Sequence, residues 1–491
     1  MQVASWAEFG NGQGLPLEAL PLLGAEAFRD AVLAQVAEGA RVVAWMLHPA
    51  AGPERRLVAV LAQGSTGMLA AGARAIGESY PALTPDCPQL HLFERELFER
   101  WDVRPVGHPW LKPVRRVPPD ARDDDFFRMA GEEVHEVAVG PVHAGIIEPG
   151  HFRFQCHGEH VFHLEIALGY QHRGVERALL GGPTKRTLPA IETLAGDTSV
   201  GHALAYAQTF EALANSAPPA RAQCLRGIAL ELERLANHTG DLGALSGDVG
   251  FLPTAAYCGR LRGEFLNLTA LACGSRLGRG WIRPGGVACD LEESRAERIA
   301  GRLQPALADA LGAVDLLRST STVRARFEET GPLSAAACQE LGVVGVPARA
   351  SGLARDARWE FPTGVYATAR IPVATWPTGD VFARARVRWM EMERSVAFLE
   401  QQLPALPDGP LRLEPGRLRP VTLAVSLVEG WRGEICHAAI TDGAGRFAAY
   451  QVVDPSFHNW AALALALRGQ AISDFPLCNK SFNLSYCGHD L

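Results

Sequence analysis

Residues 219–243, PARAQCLRGIALELERLANHTGDLG, carry the pattern that decides the fold class of this chain. Leu225, Ile228, Leu232 and Leu235 recur at the spacing of one face of an α-helix. Apolar residues at this spacing are typical of a helix that packs one side against a protein interior. The stretch therefore predicts a long amphipathic helix.

Similar patterns predict other helices in the middle of the chain, at residues 187–214, 294–318 and around 382–402. Several long helices in succession indicate a helix bundle. Shorter apolar runs, broken by turn residues, predict strands on either side of this region. The predicted strands lie at 41–49, 55–63, from 133 onward and within 411–453, the last with a turn at Asp442-Gly443.

A helix is also predicted at about 67–80, so residues 1–118 show a mixed α and β pattern. Proline and charged residues then accumulate and favour a domain boundary near 119–128. The sequence thus predicts two domains, 1–120 and 129–491. The predicted fold class is α+β: an N-terminal α+β domain precedes an α-rich domain in which a helix bundle is flanked by a small sheet.

Composition limits the class of protein. Of the 491 residues, 47% are apolar and 21% are charged, as is typical of a soluble globular protein. The net charge of −7 argues against general nucleic-acid binding. Strongly apolar runs such as 460–467 are too short to cross a bilayer, and the first residues do not resemble a signal peptide. We therefore expect an intracellular protein that reaches a membrane only through partners.

The sequence lacks several motifs that would indicate a cofactor or a reaction. Its ten cysteines include no CxxC pair, so we expect reduced thiols and neither a zinc nor an iron-sulfur site on this chain. GxGxxG, GxxxxGK[ST] and HExxH are absent, and GDTSVGH is not the GxSxG elbow of hydrolases. The segments densest in glycine and ionisable residues are 140–153 with 165–176, 191–211, 428–437 and 474–491.

Six motifs in and near these segments carry a family resemblance. In chain order they are GPVHAGIIEPGHFRF, GYQHRGVER, RAQCLRGIALELERLANH, RPGGV, VEGWRGE and DFPLCNKSFNLSY. Together they resemble the large subunit of membrane-bound, energy-converting nickel-iron hydrogenases, and they are similar to the quinone-site large subunit (D-type) of respiratory complex I. The resemblance covers essentially the whole chain.

Residues 94–109 resemble the signature of another complex I component, its C-type subunit. In hydrogenases of the formate-hydrogenlyase type, this component is fused ahead of the large subunit. The resemblance therefore implies an N-terminal domain similar to the C-type subunit of complex I, followed by a domain similar to the hydrogenase large subunit.

The chain departs from this family at the positions of the metal ligands. In the hydrogenases, two motifs supply four cysteine thiolates to nickel, whereas the corresponding positions here are Ala195, Thr198, Ser485 and Gly488. Cys487 lies one position away from a ligand place. Because a nickel-iron site needs soft thiolate donors, we expect no metal site on this chain. We also expect that the chain has no extension of the kind that nickel-containing members lose on maturation.

The quinone pocket of complex I is incompletely matched as well. The tyrosine expected there falls on Gly196, and the HPSTHG loop becomes HAGIIEPGH, in which His143 and His151 remain. The motifs therefore support quinone binding less strongly, and quinone binding stays one of the alternatives. Cys478 and Cys487 are either a redox-active pair or two buried thiols.

The resemblance implies a shared cavity lined by Glu148, His151, His172, Glu176, Asp197, His202 and Arg432. Histidine titrates near neutral pH, and burial can raise the pKa of a carboxylate toward that range, as a proton path requires. The alternative is a structural network of satisfied hydrogen bonds. Arg432 resembles the arginine beside the active-site iron of hydrogenases, and without that iron it could hold an anionic ligand or pair with Glu429 or Glu434.

The implied function is that of a peripheral large subunit on the cytoplasmic face of the inner membrane, in an NADH-quinone oxidoreductase-like or hydrogenase-like assembly. It would couple electron transfer near an iron-sulfur cluster, or the reduction of a quinone-like carrier, to proton or ion movement. No nucleotide site is apparent on this chain, although the family name mentions NADH. The alternatives are a catalytically silent scaffold and a true hydrogenase with unusual ligands.

The resemblance also implies partners. They are a small iron-sulfur subunit similar to the B-type subunit of complex I, a ferredoxin-like subunit, antiporter-like membrane subunits, and a membrane subunit similar to the H-type subunit of complex I. The iron-sulfur cluster nearest to the cavity would belong to the small iron-sulfur partner.

Overall fold

The computed structural model describes residues 6–48, 55–115, 126–145 and 147–491. Helices and several separate sheets occur together, which confirms the predicted α+β fold class. Most of the predicted domain boundary, 119–128, lies outside the described residues, so the division of the chain at that point stays a prediction.

Sixteen strands form five sheets within the described residues. The strands are β1 (Ala7–Gly10), β2 (Gly14–Pro16), β3 (Leu22–Leu23), β4 (Arg41–His48), β5 (Arg55–Gln63), β6 (Met68–Ile76), β7 (Ser79–Pro81), β8 (Arg104–Val106), β9 (Val134–Val139), β10 (His151–His157), β11 (His160–Ala167), β12 (Ile282–Arg283), β13 (Gly286–Val287), β14 (Thr422–Glu429), β15 (Glu434–Thr441) and β16 (Phe447–Val453). Their orders are β1-β6-β5-β4 with β3 beside β6, then β11-β10-β9, β12-β13, β16-β15-β14-β2 and β7-β8.

The helices of the described residues are α1 (Ala25–Ala37), α2 (His91–Trp101), α3 (Val175–Leu179), α4 (Thr187–Ile191), α5 (Ser199–Ala214), α6 (Ala220–Asp248), α7 (Leu252–Cys273), α8 (Glu293–Ser319), α9 (Ser321–Phe327), α10 (Ala335–Leu341), α11 (Gly345–Ala350), α12 (Ala357–Glu360), α13 (Val381–Gln402), α14 (Pro455–Ala466), α15 (Phe475–Phe482) and α16 (Tyr486–Asp490). The long helices α6, α7, α8 and α13 pack together as the predicted bundle. None of the helices within the described ranges is both long enough and apolar enough to cross a membrane.

The predicted helix at 67–80 is wrong, because this stretch forms β6 and β7. Its alanines favoured a helix by intrinsic propensity. In the sheet, however, β6 lies between β1 and β5, and a Cβ added at Gly72 would be 2.9 Å from the ring of Trp6. Small residues are therefore needed here because an indole packs against the strand.

The predicted helix at 187–214 is interrupted, since α4 ends at Ile191 and α5 begins at Ser199. Residues 192–198 leave the helical path and hold Gly196 and Asp197 at the site described below. The strands predicted within 411–453 begin only at Thr422, because Pro415 and Pro420 lack the N–H that a strand ladder needs.

Helix α6 was predicted to be amphipathic, but it is buried on nearly all sides. Arg234 and Glu231 are fully buried, and Arg226 is 3% exposed. Buried ion pairs compensate these charges, so the helix can lie in the protein interior although it carries charged residues. This helix therefore brings charged groups into the centre of the molecule.

The first segment of the chain adds a strand to the C-terminal sheet. Strand β2 pairs antiparallel with β14, with Leu15 opposite Leu423. The side chain of Asn11 donates to the carbonyls of Phe361 (2.8 Å) and Leu427 (2.9 Å) and accepts from the Leu427 amide (2.8 Å). Residues 6–16 are thus integrated with the sheet that supports the site.

Candidate functional site

The segment between α4 and α5 meets the turn between β14 and β15 through one ion pair. Two guanidinium nitrogens of Arg432 donate to the two carboxylate oxygens of Asp197, at 2.6 and 2.8 Å. The third nitrogen, Nε, donates to the carbonyl of Asn483 at 2.6 Å. Burial alone would raise the pKa of Asp197, but the charge and hydrogen bonds of Arg432 outweigh it and hold that pKa below its ordinary value. Arg432 therefore pairs with Asp197, not with Glu429 or Glu434.

Thr198 takes part in the same contact. Its hydroxyl oxygen lies 3.1 Å from Arg432 Nη1 and 3.1 Å from the indole nitrogen of Trp431, and both nitrogens donate to it. The Trp431 indole also lies 3.0 Å from the carbonyl of Asp197. Ala195, earlier in the same segment, is fully buried and apolar. The first motif thus presents a carboxylate and a hydroxyl, both engaged by the turn at Arg432.

The carboxylate of Asp454, which the motifs did not indicate, lies next to Gly488 of the second motif. Ser485 accepts a hydrogen bond from the amide of Gly488 at 2.9 Å. A Cβ added at Gly488 would lie 2.7 Å from the carboxyl group of Asp454 and 2.9 Å from the Ser485 oxygen. No side chain, including that of cysteine, fits at position 488 without displacing Asp454.

Asp454 begins a chain of buried hydrogen bonds. His202 Nε2 lies 3.2 Å from Asp454, His202 Nδ1 lies 3.1 Å from His437 Nε2, and His437 Nδ1 lies 2.9 Å from the Tyr450 hydroxyl. Burial opposes ionisation of Asp454, but the bond from His202 and the charge of Arg432 lower its pKa. Burial and the neighbouring His202 lower the pKa of His437 well below its usual value.

Ionised Asp454 can only accept, so His202 donates to it through Nε2. His202, His437 and Tyr450 follow Asp454 as one unbroken chain of buried hydrogen-bonding groups.

Glu148 contacts the second motif through Cys487. It is half-buried and hydrogen-bonds Cys487, whose sulfur is also 3.4 Å from the Ser485 oxygen. Burial and Glu148 raise the pKa of Cys487 to about 11, so the sulfur stays a thiol at neutral pH. Cys478 has different surroundings, since its sulfur lies 3.9 Å from Arg384 in a fully buried site.

The structure separates the other three predicted site residues from this group. Glu176 pairs with Arg100 and accepts from the Val452 amide at 2.7 Å, and burial raises its pKa. Glu176 and His172 line a cavity of 840 Å³. His151 lines a different cavity of 1320 Å³ and contacts the carbonyl of Gly140 at 3.1 Å. Glu148, Asp197, His202 and Arg432 therefore lie at the two motifs, whereas Glu176 and His151 do not. His172 contacts the end of α16, where its Nδ1 lies 2.7 Å from the carbonyl of Asp490.

Sequence reasoning also missed Glu233, which lies behind Asp197. Its carboxylate accepts from the amides of Val200 (2.7 Å) and Gly201 (3.1 Å) at the start of α5. Burial and the nearby charge of Asp197 raise the pKa of Glu233 to about 8. The signal available was the acidic pattern ELE in α6, but Glu233 falls largely off the apolar stripe of that helix and was not among the predicted site residues.

Comparisons with known proteins agree with this architecture. Residues 248–422 match the family model of the 49 kDa subunit of respiratory-chain NADH dehydrogenase. The chain is 32% identical to a carbon monoxide-induced hydrogenase of Rhodospirillum rubrum over 71% of its own length and 97% of that protein. The chain belongs to this family of oxidoreductase large subunits.

Other members show the two branches that the family joins. Formate hydrogenlyase subunit 5 of Escherichia coli is 29% identical over 83% of this chain and 76% of that protein. A D-type NADH-quinone oxidoreductase subunit of Solibacter usitatus is 30% identical over 68% of this chain and 91% of that protein. This family member is accordingly a component of a multi-subunit oxidoreductase of the complex I and hydrogenase type, which confirms the resemblance of its motifs.

Proposed function

We propose that this chain is the large subunit of a membrane-associated, complex I-like or energy-converting-hydrogenase-related oxidoreductase that works without a nickel-iron centre. It would couple electron transfer near an iron-sulfur cluster of a partner subunit to proton or ion movement. The observation that carries the proposal is the pairing of Asp197 with Arg432 at the first ligand motif, together with Asp454 at the second.

The residues present do not fit a nickel-iron group. The four positions that correspond to thiolate ligands offer a methyl group, two hydroxyl groups and a glycine: Ala195, Thr198, Ser485 and Gly488. Low-spin iron and nickel require soft sulfur donors. Within the described residues, no group of three or more His, Cys, Asp or Glu side chains could hold a metal ion. The ion pair Asp197–Arg432 and the hydrogen bond between Asp454 and His202 lie at the two motifs instead.

The same site supports a role in proton handling. Asp454, His202, His437 and Tyr450 form a continuous chain of hydrogen-bonding groups in the interior, and Glu148 lies at the partly exposed side of the second motif. A carboxylate next to solvent and a buried imidazole relay are the components that a proton path needs. A chain of this kind would accept or release a proton when charge changes at a nearby electron carrier.

The electron carrier and the ion path would come from partners. Family membership supports a small iron-sulfur subunit similar to the B-type subunit of complex I, a ferredoxin-like subunit, and antiporter-like and H-type membrane subunits. They would hold this chain at the cytoplasmic face of the inner membrane. A quinone-like molecule is the proposed acceptor class, and this chain itself would carry no cofactor.

Elemental analysis of the purified complex tests the metal part of the proposal. We expect iron from iron-sulfur clusters, no nickel, and no infrared bands of iron-bound carbon monoxide or cyanide. Nickel in stoichiometric amount together with those bands would overturn the proposal and restore hydrogen chemistry on a new ligand set.

The role in proton handling is tested by Glu148→Gln in the assembled complex. The variant keeps the shape of the side chain but cannot ionise, so we expect loss of electron-transfer activity with normal assembly. Glu159→Gln, on the exposed turn between β10 and β11, is the matched control. Full activity of Glu148→Gln in a normally assembled complex would favour the scaffold alternative, which the complete hydrogen bonding of Asp197 also supports.

A further inference from the structure

A second group of charges lies deeper in the molecule, between α6, α11, α12, α13 and the end of β14. None of its eight side chains is more than 4% exposed. We call this group the interior charge cluster. Its members are Glu231, Arg234, His238, Arg349, Asp356, Arg358, Glu391 and Glu429.

Hydrogen bonds join the interior charge cluster from one end to the other. Glu391 accepts from Arg349 and from His238, both at 2.8 Å, and Arg349 also donates to Glu429 at 2.6 Å. At the other end, Arg358 donates to Asp356 at 2.6 Å and to both oxygens of Glu231 at 3.1 Å. Arg234 connects the two halves through Glu231 (3.1 Å) and Glu391 (3.4 Å).

The charges of the cluster do not balance. It contains four carboxylates and three guanidinium groups, and guanidinium stays protonated in proteins. Burial lowers the pKa of His238, so this ring does not supply a fourth positive charge. With every carboxylate ionised the interior would carry one uncompensated negative charge, which a low-dielectric environment strongly disfavours. One extra proton therefore belongs to the cluster.

The contacts indicate which carboxylate takes this proton. Glu231 accepts hydrogen bonds from four side chains: Arg234, Arg358, Ser395 and Tyr366. The two arginine charges and these bonds lower the pKa of Glu231 to about 2. Glu429 accepts only from Arg349 and the Ala357 amide and faces the negative charge of Asp356. Burial and Asp356 raise the pKa of Glu429 to about 7 against the effect of Arg349.

Glu429 is also the last residue of the strand that leads to Arg432. Arg234 donates to the backbone carbonyls of Glu429 (2.7 Å) and Gly430 (3.1 Å), so the cluster holds the turn on both sides. The ring of His238 lies 6.2 Å from that of Trp431, in an edge contact. A change of charge at Glu429 thus acts on the backbone that places Arg432 against Asp197.

We propose that Glu429 carries the extra proton of the interior charge cluster and acts as a positioning residue, whose charge state determines how the turn at Arg432 is held against Asp197. The inference rests on the proposed function, because the Arg432–Asp197 pair is the site that it adjusts. Protonation forms one O–H bond at the Glu429 carboxylate and needs no electron donor.

The charged groups around the cluster are paired among themselves. Glu434, opposite Glu429 across β14 and β15, lies 2.6 Å from Arg41. Glu360 lies 3.1 Å from Arg41, and Arg355 is the second cation of that group. Asp241 pairs with Arg388 at 2.7 Å. These pairs include none of the four carboxylates of the interior charge cluster. Arg394, half-buried at the solvent edge, donates to the carbonyl of Pro372 at 2.9 Å, and the cluster carboxylates that attract it are Glu391 and Asp356.

Infrared difference spectra of the purified complex, titrated from about pH 6 to about pH 9, test this proposal directly. We expect a protonated carboxylic acid band that disappears near pH 7 and is missing in Glu429→Gln. Glu233→Gln, which removes another buried carboxyl of raised pKa, should keep this band. An unchanged band in Glu429→Gln would overturn the proposal.

A second variant covers the case in which Glu429→Gln does not assemble. Asp356→Asn removes the like charge that faces Glu429, so the band should titrate at a pH lower by about 1 unit. An unchanged midpoint would contradict the proposal.

The positioning role is measured by activity. The pH dependence of electron transfer should lose one ionisation in Glu429→Gln and shift in Asp356→Asn. Glu148→Gln should keep the band even when inactive, so failure of the proposed function is seen separately.

Discussion

Arg432 donates two hydrogen bonds, of 2.6 and 2.8 Å, to the carboxylate of Asp197, which lies 235 residues earlier in the sequence. A guanidinium and a carboxylate in this two-point geometry form one of the stronger polar contacts in proteins. Here the pair also ties Asn483 to the same point through Nε of Arg432. The pair therefore fixes the relative positions of three segments: residues 192–198, the turn at Arg432 and the chain at Asn483.

Breaking this pair should cost measurable stability. Asp197→Asn leaves the buried guanidinium without its counter-charge, and we expect a loss of about 1 to 2 kcal/mol, limited because the Asp197 side chain is 34% exposed. Denaturant unfolding of Asp197→Asn, Arg432→Gln and the double variant measures the coupling. If the two single losses simply add in the double variant, the pair contributes nothing as a pair.

The contact between Gly488 and Asp454 predicts a second effect. Gly488→Ala places a Cβ where the structure allows only 2.7 Å to the Asp454 carboxyl, so the relay to His202 must shift. We expect a destabilisation of about 1 to 3 kcal/mol, as for other overpacked sites. Gly196→Ala is the matched control in the same site, because a Cβ there meets nothing within 4 Å. Equal melting temperatures for the two variants would contradict the contact.

Local patterns predicted the regular elements well where the environment agreed with them. The helices at 294–318 and 382–402 appear as α8 and α13, shifted by one residue at each element's start. The strands at 41–49 and 55–63 appear as β4 and β5. The prediction failed at 67–80, where Trp6, distant in sequence, requires the small residues that resemble a helix pattern. Propensity cannot register a constraint that comes from another element.

The candidate site was predictable only in part for the same reason. Motif spacing placed Asp197, His202 and Arg432 in one region, because each lies in a segment that carries the family resemblance. His437 lies in a buried strand and Asp454 follows one, and in such segments the sequence pattern indicates only that a residue belongs to the core. Their place in the site depends on hydrogen bonds to His202 of α5. Glu176 was grouped with the others by motif, but α3 turns it toward Arg100 of α2.

The raised pKa of Glu233 predicts a pH dependence of stability. The folded value is about 8 and the unfolded value about 4.3, so the native state binds more protons in this window and stability falls as pH rises through it. Below about pH 4 both states are protonated, and the penalty disappears. In Glu233→Gln the side chain stays neutral at every pH. The unfolding free energy of the variant should therefore fall less between about pH 5 and about pH 8 than that of the unmodified protein, and the difference should be at most several kcal/mol. An identical slope in the variant would show that Glu233 is ionised throughout in the native state.

Asn11 provides a test of how closely the first segment is joined to the rest. Three hydrogen bonds connect its side chain to the backbone of Phe361 and Leu427, and β2 completes the sheet of β14. Asn11→Ala should leave these backbone groups without partners and cost about 2 to 3 kcal/mol. Because the segment belongs to the C-terminal sheet, the loss should lower the melting of the whole chain in one transition, followed by calorimetry. A separate early transition, with the main one unchanged, would instead show that residues 6–16 unfold independently of the sheet that carries Arg432.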